Sequence, residues 1–524
     1  MERRGTIWGA GALLLAVGLA VRFWHVFAEP LWLDEAYSAY AAAHGFDFIW
    51  RVVPRYEAHP PFYYTVLKCW TLAFGDGLVP LRALGLLASL ATMPLVTTAA
   101  WQMGAMLGWQ RRRRGQLMLA AFALACLSPA LVEMARQVRP YPLMILTYAG
   151  ACLVLVRLAM RGGAGRPLAG RTYFAYLAIV EAMLWLHDLG PLYAAAMGLA
   201  LLAAVIRPGL GRAGWAWLIG GHLGVILLYL PAFAMMRDQA GVWEHSTWLR
   251  FGLGVLPGKL AGLYAVPDWP VMAAVLLAML AMAMLSGTGE GRRLLAMLLL
   301  LGIVPVLLAV LISMAVVPVF LPRVLAAAAV PALLLFAIGA TAGGRARWPA
   351  LAGAVVLAVN MLAVDIQARA AGPMQDWYRT VAWLHDHVRP GDVIFAYPNE
   401  GALPLARALH DKGLDYPIRA IPTPVPAEDP AATHPTGYRG VASLPGWRLH
   451  QIAAEPATQA VPTIWLLRLG ASAYDPGDLF LKELHHGRYI VRSWLDGPID
   501  IVGLRRRDLD RPAPIRSHAS PDAR

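Results

Sequence analysis

The chain has 524 residues, 58% of them hydrophobic and 15% charged, with a mean hydropathy of +0.53. That is too apolar for a soluble globular protein and marks a polytopic membrane protein. The formal net charge of +13 comes from arginines in short clusters between apolar runs, a pattern that sets membrane topology and argues against a nucleic-acid partner.

Three cysteines, Cys69, Cys126 and Cys152, lie in apolar segments without metal-ligand spacing, so neither a disulfide framework nor a zinc site is supported. A spanning helix needs about 20 mostly apolar residues, and Lys or Arg in short loops mark the cytoplasmic side. Arg3 and Arg4 precede a first apolar run, about Ile7 to Phe27, which lacks a small-residue cleavage site and is read as an uncleaved span with its N-terminus inside. It delivers LWLDEAYSAYAAAH, Leu31 to His44, to the outer face. There Asp34 and Glu35 are adjacent among Trp32, Tyr37 and Tyr40, where charge is costly unless something uses it. From Pro30 to Gly77 charged and aromatic residues alternate, and the apolar stretch bearing Lys68 suits a helix lying in the interface.

The second span, about Leu78 to Met103, runs inward to Arg111–Arg114. The third, about Gln116 to Val132, comes out to MARQVRPYPL, and the fourth returns to Arg157, Arg161, Arg166 and Arg171. The fifth rises to His187 and Asp188, the sixth falls to Arg207 and Arg212, and the seventh rises to Met236. An outer loop with Trp243, Glu244, His245 and Trp248 follows. Four more spans bring Arg292 and Arg293 inside, Pro318 outside, Arg345 and Arg347 inside, and Asp365 outside. The expectation is thus a helical membrane domain over 1–366 with about eleven spans and extra interfacial helices.

After residue 366 the apolar runs shorten to strand length. VIFAY, TIWLLRL, RYIVRSWL and IDIVGL read as strands, and Met374 to Val388 has helical period, so 367–505 is expected to be a small extracytoplasmic α/β domain. Pro422 to Pro445 reads as a Pro-rich loop, and 506–524 as a disordered tail.

Three outward segments hold polar residues that a membrane span does not need: Asp34 with Glu35; EAHPPFYY, with Glu57, His59 and Tyr63; and EMARQVRPY, with Arg136, Arg139 and Tyr141. Arginines on the outer side run against the topology rule and ask for an anion. A lipid phosphate suits the planar guanidinium fork, and a neighbouring carboxylate supplies a base. Together they fit transfer of a sugar from a polyprenyl phosphate to an acceptor hydroxyl, because a phosphate leaving group needs positive charge rather than a proton. Each residue also has a plain structural alternative. Asp34 and Glu35 can cap a helix, His59 before two prolines can mark a helix start, the arginines can snorkel or pair with Glu133, and His187 and Asp188 can simply end a helix.

DEAYSAY, HPPFYY, SPALVEMARQVRPYPL and the late LPRVLAAAAVPALLLFA resemble the polyprenyl-phosphate-sugar-dependent glycosyltransferases of the GT-C type. That group includes the protein O-mannosyltransferase and aminoarabinose transferase relatives and the bacterial proteins with an RgtA/B/C/D-like domain. The resemblance covers roughly Met1 to Gly339. It implies a bacterial inner-membrane enzyme with a polyprenyl-phosphate-sugar donor and a glycan, lipid or protein acceptor in the envelope. It also implies Asp34 as general base, with Glu35 as a companion that helps bind a divalent metal ion or orients the base. Arg136, Arg139 and Tyr141 match the segment that approaches the donor phosphate, Arg323 matches a late outer basic residue, and His59 lies close to the site; Tyr63, His187 and Asp188 are further candidates. No DxD motif stands in the loops between spans, a departure from the oligosaccharyltransferase branch. The alternative from another class is a transporter or flippase of a lipid-linked substrate, and a third is a non-catalytic assembly partner.

Overall fold

A computed structural model describes residues 2–57, 59–163, 167–206, 210–246, 249, 251–424, 444–471, 475 and 477–510. Most of the Pro-rich stretch from Pro422 to Pro445, the tail beyond residue 510, and Trp248 lie outside the described residues. So do the side chains of Trp243, Glu244 and His245. The chain divides into two compact units, Met1–Pro373 and Met374–Arg524.

The first unit is helical throughout. It begins with α1 (Glu2–Phe23), then four short elements, α2 (Leu33–Ala43), α3 (Phe46–Arg51), α4 (Val53–Tyr56) and α5 (Phe62–Phe74). Longer helices follow: α6 (Leu78–Met106), α7 (Arg111–Leu127), α8 (Pro129–Ala135), α9 (Tyr141–Gly163), α10 (Arg171–Leu186), α11 (Gly190–Val205) and α12 (Arg212–Ser246). The unit closes with α13 (Leu256–Tyr264), α14 (Val271–Ser286), α15 (Gly289–Ala315), α16 (Pro322–Leu325), α17 (Ala329–Ala340) and α18 (Arg347–Ala370). Every one of the eleven apolar runs is helical. Six helices among the described residues are long and apolar enough to cross a membrane, or seven if the bent pair α7 and α8 is one span. The apolar part of α1, α11 and α14 are shorter.

Three features of the sequence shape this bundle. Ser128 precedes Pro129 and takes an extended backbone, because the proline ring crowds a helical residue before it, and α7 and α8 meet at a bend of 57°. The break frees carbonyls at the end of α7, and Arg22 of α1 caps them, donating from Nη1 to Cys126 O at 2.7 Å and from Nη2 to Ala125 O at 3.2 Å. Small residues allow close approach elsewhere. A Cβ at Gly339 of α17 would stand 1.9 Å from Leu277 O of α14.

The basic clusters collect at one end of the bundle. Arg113 at the start of α7 donates to Thr341 O just past α17 (3.3 Å), and Arg293 at the start of α15 donates to Ala203 O near the end of α11 (3.1 Å). The opposite end carries α2 to α5 and the loops after α8, α10 and α15.

The second unit is a five-stranded sheet in the order β2-β1-β3-β5-β4, from β1 (Val393–Ala396), β2 (Ile418–Ala420), β3 (Thr463–Leu469), β4 (Arg488–Asp496) and β5 (Ile499–Arg506). β1 is parallel to both neighbours, and the hairpin of β4 and β5 adds antiparallel to β3. Central β3, TIWLLRL, is buried at every position, which is why it reads as a continuous apolar run. Its one charge, Arg468, is paired with Asp478 and Asp500. The helix expected over Met374 to Val388 spans Trp377–His387, capped by Asp376, whose side chain accepts from Arg379 N at 3.0 Å.

Replacing Gly339 by Ala should separate α14 from α17, since the clash is with backbone that no rotamer can relieve. The expected cost is about 1–3 kcal/mol or more, read as earlier thermal unfolding of the purified protein; an unchanged unfolding temperature would contradict the packing described.

Candidate active site

The site is built on α2. Glu35 occupies the third helical position and reaches back to its own N-terminus, where Oε2 accepts from Trp32 N at 3.2 Å. Its other oxygen, Oε1, accepts from Arg82 Nη1 of α6 at 2.6 Å and from Val138 N at 2.8 Å. Arg82 also donates to Arg136 O and to Pro30 O (3.2 Å), so one fully buried carboxylate ties α2, α6 and the turn after α8 together. Gly85, one turn along from Arg82, lets that turn lie on α6; a Cβ there would stand 2.8 Å from Ala135 O. Burial pushes the Glu35 carboxyl up, while Arg82 and the two amides pull against it.

With Glu35 turned inward, Asp34 faces the other way. Its Oδ2 is 2.9 Å from Arg323 Nη2, both side chains being partly exposed, and Arg323 also stands 5.0 Å from the centre of the Trp32 ring. Behind this pair Arg139 is a hub. It donates to Asp34 O (3.0 Å), Ser38 Oγ (3.3 Å) and Glu57 Oε1 (3.1 Å), and meets His59 Nε2 at 2.6 Å. The Glu57 segment is pinned in turn by Gln239 of α12, whose Nε2 donates to Pro54 O (2.9 Å) and Glu57 O (2.6 Å).

His187 and Asp188, in the connection between α10 and α11, face the same region. The His187 ring lies 4.2 Å from that of His59 and 6.0 Å from that of Tyr141. Its Nδ1 accepts from Leu189 N at 3.1 Å, which puts the proton of the neutral ring on Nε2, a buried atom with no hydrogen-bond partner. Burial, with His59, Arg139 and Arg323 adding to it, pushes the His187 pKa well below the usual imidazole range. Burial and the nearby Glu57 push Asp188 well above the usual carboxyl range. Tyr63, buried on α5, packs edge-on against Tyr64 and hydrogen-bonds Ser38.

Of the residues expected from sequence, the structure gathers Asp34, Arg323, Arg139, His59, His187, Asp188, Tyr141 and Tyr63 at one end of the bundle. Arg136, expected beside the donor phosphate, is held by the chain itself. It is buried, and its Nη atoms are spent on Arg22 O (2.9 Å), Trp24 O (2.7 Å) and Glu29 Oε1 (2.8 Å), so it clamps the chain after α1. Arg139 is likewise engaged by protein partners and buried, while Arg323, paired with Asp34, is the more exposed of the two. Sequence reading passed over Arg82 and Gln239. An arginine near the start of an apolar helix was a signal for the former; nothing local marked the latter.

No family model and no curated protein matches the sequence. Solved structures do match. ArnT from Cupriavidus metallidurans in the apo state superposes with a TM-score of 0.59 at 15% identity, covering 95% of this chain and 98% of that one. The same protein bound to undecaprenyl phosphate gives 0.57 at 14% identity, covering 94% and 97%. The chain has the ArnT fold. The likeness is one of fold, and it covers nearly the whole length of both chains.

A divalent metal ion is expected at Glu35. Both Glu35 oxygens are taken by an arginine and two amides, so Glu35 does not fit a ligand role. Among the described residues no group of three His, Cys, Asp or Glu side chains could hold a metal ion.

Two outcomes follow from this geometry. Glu35→Ala leaves Arg82 buried without its partner and should destabilise the protein by about 3–5 kcal/mol, measured by thermal unfolding; a neutral result would mean the pair is not the tie described. His187 stays neutral in the fold but takes up a proton when unfolded below about pH 6.5, so stability should fall with pH below that point by up to about 1.4 kcal/mol per unit. His187→Gln should flatten that slope in a pH series of unfolding temperatures, and an unchanged slope would assign the loss to other groups.

Proposed function

We propose that this protein is a membrane glycosyltransferase of the GT-C type, moving a sugar from a polyprenyl-phosphate carrier to an acceptor on the outer face of the bacterial inner membrane, with inversion. The observation that carries the reading is the Asp34–Arg323 pair at 2.9 Å, a partly exposed carboxylate and a guanidinium side by side. The ArnT likeness supports the donor class, since that neighbour has been seen with undecaprenyl phosphate.

In the reaction the acceptor oxygen attacks the anomeric carbon as the bond from that carbon to the phosphate oxygen breaks. The bonding pair leaves with the phosphate, whose growing charge falls to Arg323. The acceptor proton passes to Asp34. Arg139 is a positioning residue: it holds the Asp34 carbonyl, Glu57 and His59 in register. The orphan Nε2–H of His187 is a neutral donor suited to a sugar or phosphate oxygen. In this reading about eleven helices cross the membrane, with the N-terminus and the Arg111–Arg114 end cytoplasmic and the C-terminal α/β unit periplasmic.

The test is transfer of labelled sugar from polyprenyl-phosphate-sugar donors in membranes carrying the wild type or Asp34→Asn at matched levels. Loss of the base should slow transfer roughly 10²–10⁴-fold. Equal transfer by both proteins, or none by the wild type from any donor, would sink the proposal.

A further inference from the structure

Arg323, the guanidinium that faces Asp34, rides on an element too short to hold itself. α16 is one turn, Pro322–Leu325, and a single turn of helix in isolation is unfavourable. Pro318 and Pro322 interrupt the chain that leads to it from α15, and Leu321, before the second proline, is extended. After α16 the winding tightens to a 3-10 turn, Ala326–Ala328, before α17 resumes the α-helical pitch. What keeps Arg323 in place must therefore come from outside α16.

Two hydroxyls supply it. Upstream, Ser313 in the last turn of α15 is buried, and its Oγ accepts from Val319 N at 2.9 Å and from Phe320 N at 2.8 Å, which folds the chain back toward α16. Phe320 is buried in turn, its ring centre 5.7 Å from that of Phe251. Downstream, Tyr193 of α11 donates to Val324 O at 2.8 Å, and its oxygen meets the amides of Ala327 and Ala328. The hydroxyl thus sits at the junction where α-helical winding gives way to 3-10. Its ring is fully buried, edge-on to Tyr148 at 4.9 Å. Tyr148 is itself fixed, donating at 2.7 Å to Leu301 O, a carbonyl whose helical partner would be Pro305, which has no N–H.

α11 is also the helix that follows His187 and Asp188. Gly190 N donates to His187 O at 2.7 Å, and a Cβ at Gly190 would stand 2.4 Å from Met183 O, so the connection is drawn tight onto the end of α10. His187 and Arg323 interact electrostatically. The start of α11 therefore anchors the connection that bears the imidazole and also grips the arm that bears the guanidinium.

We propose that Tyr193 is a positioning residue for the transfer: through the Val324 carbonyl it fixes α16, and with it Arg323, against Asp34 and His187. Removing the hydroxyl takes a donor from a buried carbonyl, and α16 loses its downstream tie. A guanidinium that has shifted stabilises the departing phosphate less. The inference rests on the proposed transfer for its effect on rate, but not for the ordering of α16.

The experiment compares the purified full chain with Tyr193→Phe in lipid nanodiscs. Amide hydrogen exchange read by mass spectrometry should rise about ten-fold in peptides covering 316–329 and stay unchanged in those covering 141–163. With labelled polyprenyl-phosphate-sugar, kcat should fall about ten-fold while KM stays within about two-fold. In an Arg323→Gln background the same substitution should cost nothing further, since a residue that acts through Arg323 has nothing left to position. Should Tyr193→Phe unfold early, Ser313→Ala loosens the same arm from its other end and should give the same rise over 316–329. Exchange unchanged over 316–329 in both variants, or losses of rate that multiply with Arg323→Gln, would overturn the inference. A wild type that transfers no sugar from any donor, with the rise over 316–329 present, would count against the proposed reaction alone.

Discussion

A carboxylate removed from water at the end of a helical bundle is tolerated only if every lone pair is answered. Glu35 meets that condition with Arg82, Val138 N and Trp32 N, and in doing so it fixes three segments that are distant in sequence. Because Glu35 is held inward, the neighbouring residue on α2 points to a different side, and Asp34 is thereby aimed at Arg323. The pair Asp34 and Glu35 is thus one buried, structural carboxyl and one partly exposed carboxyl, divided by their places on a single helical turn.

A second network stands beside the first. Arg22, Arg136 and Glu29 join α1 to the break between α7 and α8, while Arg139, Glu57 and Gln239 join α2 to α12. Each arginine compensates for backbone carbonyls or a carboxylate that this irregular end of the bundle leaves without a helical partner. Much of the positive charge at this end is consequently spent on the fold. Arg323, partly exposed beside Asp34, is the exception in its exposure rather than in having a partner.

The helical bundle was legible because apolar runs of spanning length have few alternatives in lipid, and every expected run is helical. Span number was less so: α10, α11 and α14 are each 16 residues, and length alone does not say whether such helices cross. In the second unit β3, β4 and β5 were readable from β-branched and aromatic runs, but β2, three half-buried residues, carries no such pattern. For the site, motif residues near Asp34 could be named from sequence, yet their division of labour could not. Arg136 and Arg139 are three residues apart and look alike, and only their partners distinguish a clamp on the chain after α1 from a hub behind Asp34. Gln239 acts through a side-chain amide on backbone carbonyls 182 and 185 residues away, an interaction without local signature.

Arg323 lies 289 residues after Asp34 in the chain. A polypeptide emerging from the ribosome inserts α2 long before α16, so the nascent protein carries its carboxylate for most of its synthesis without the guanidinium that completes the pair. The pair is therefore completed only when the late helices have packed against α2, and the order of the chain sets the order in which this end of the bundle can close.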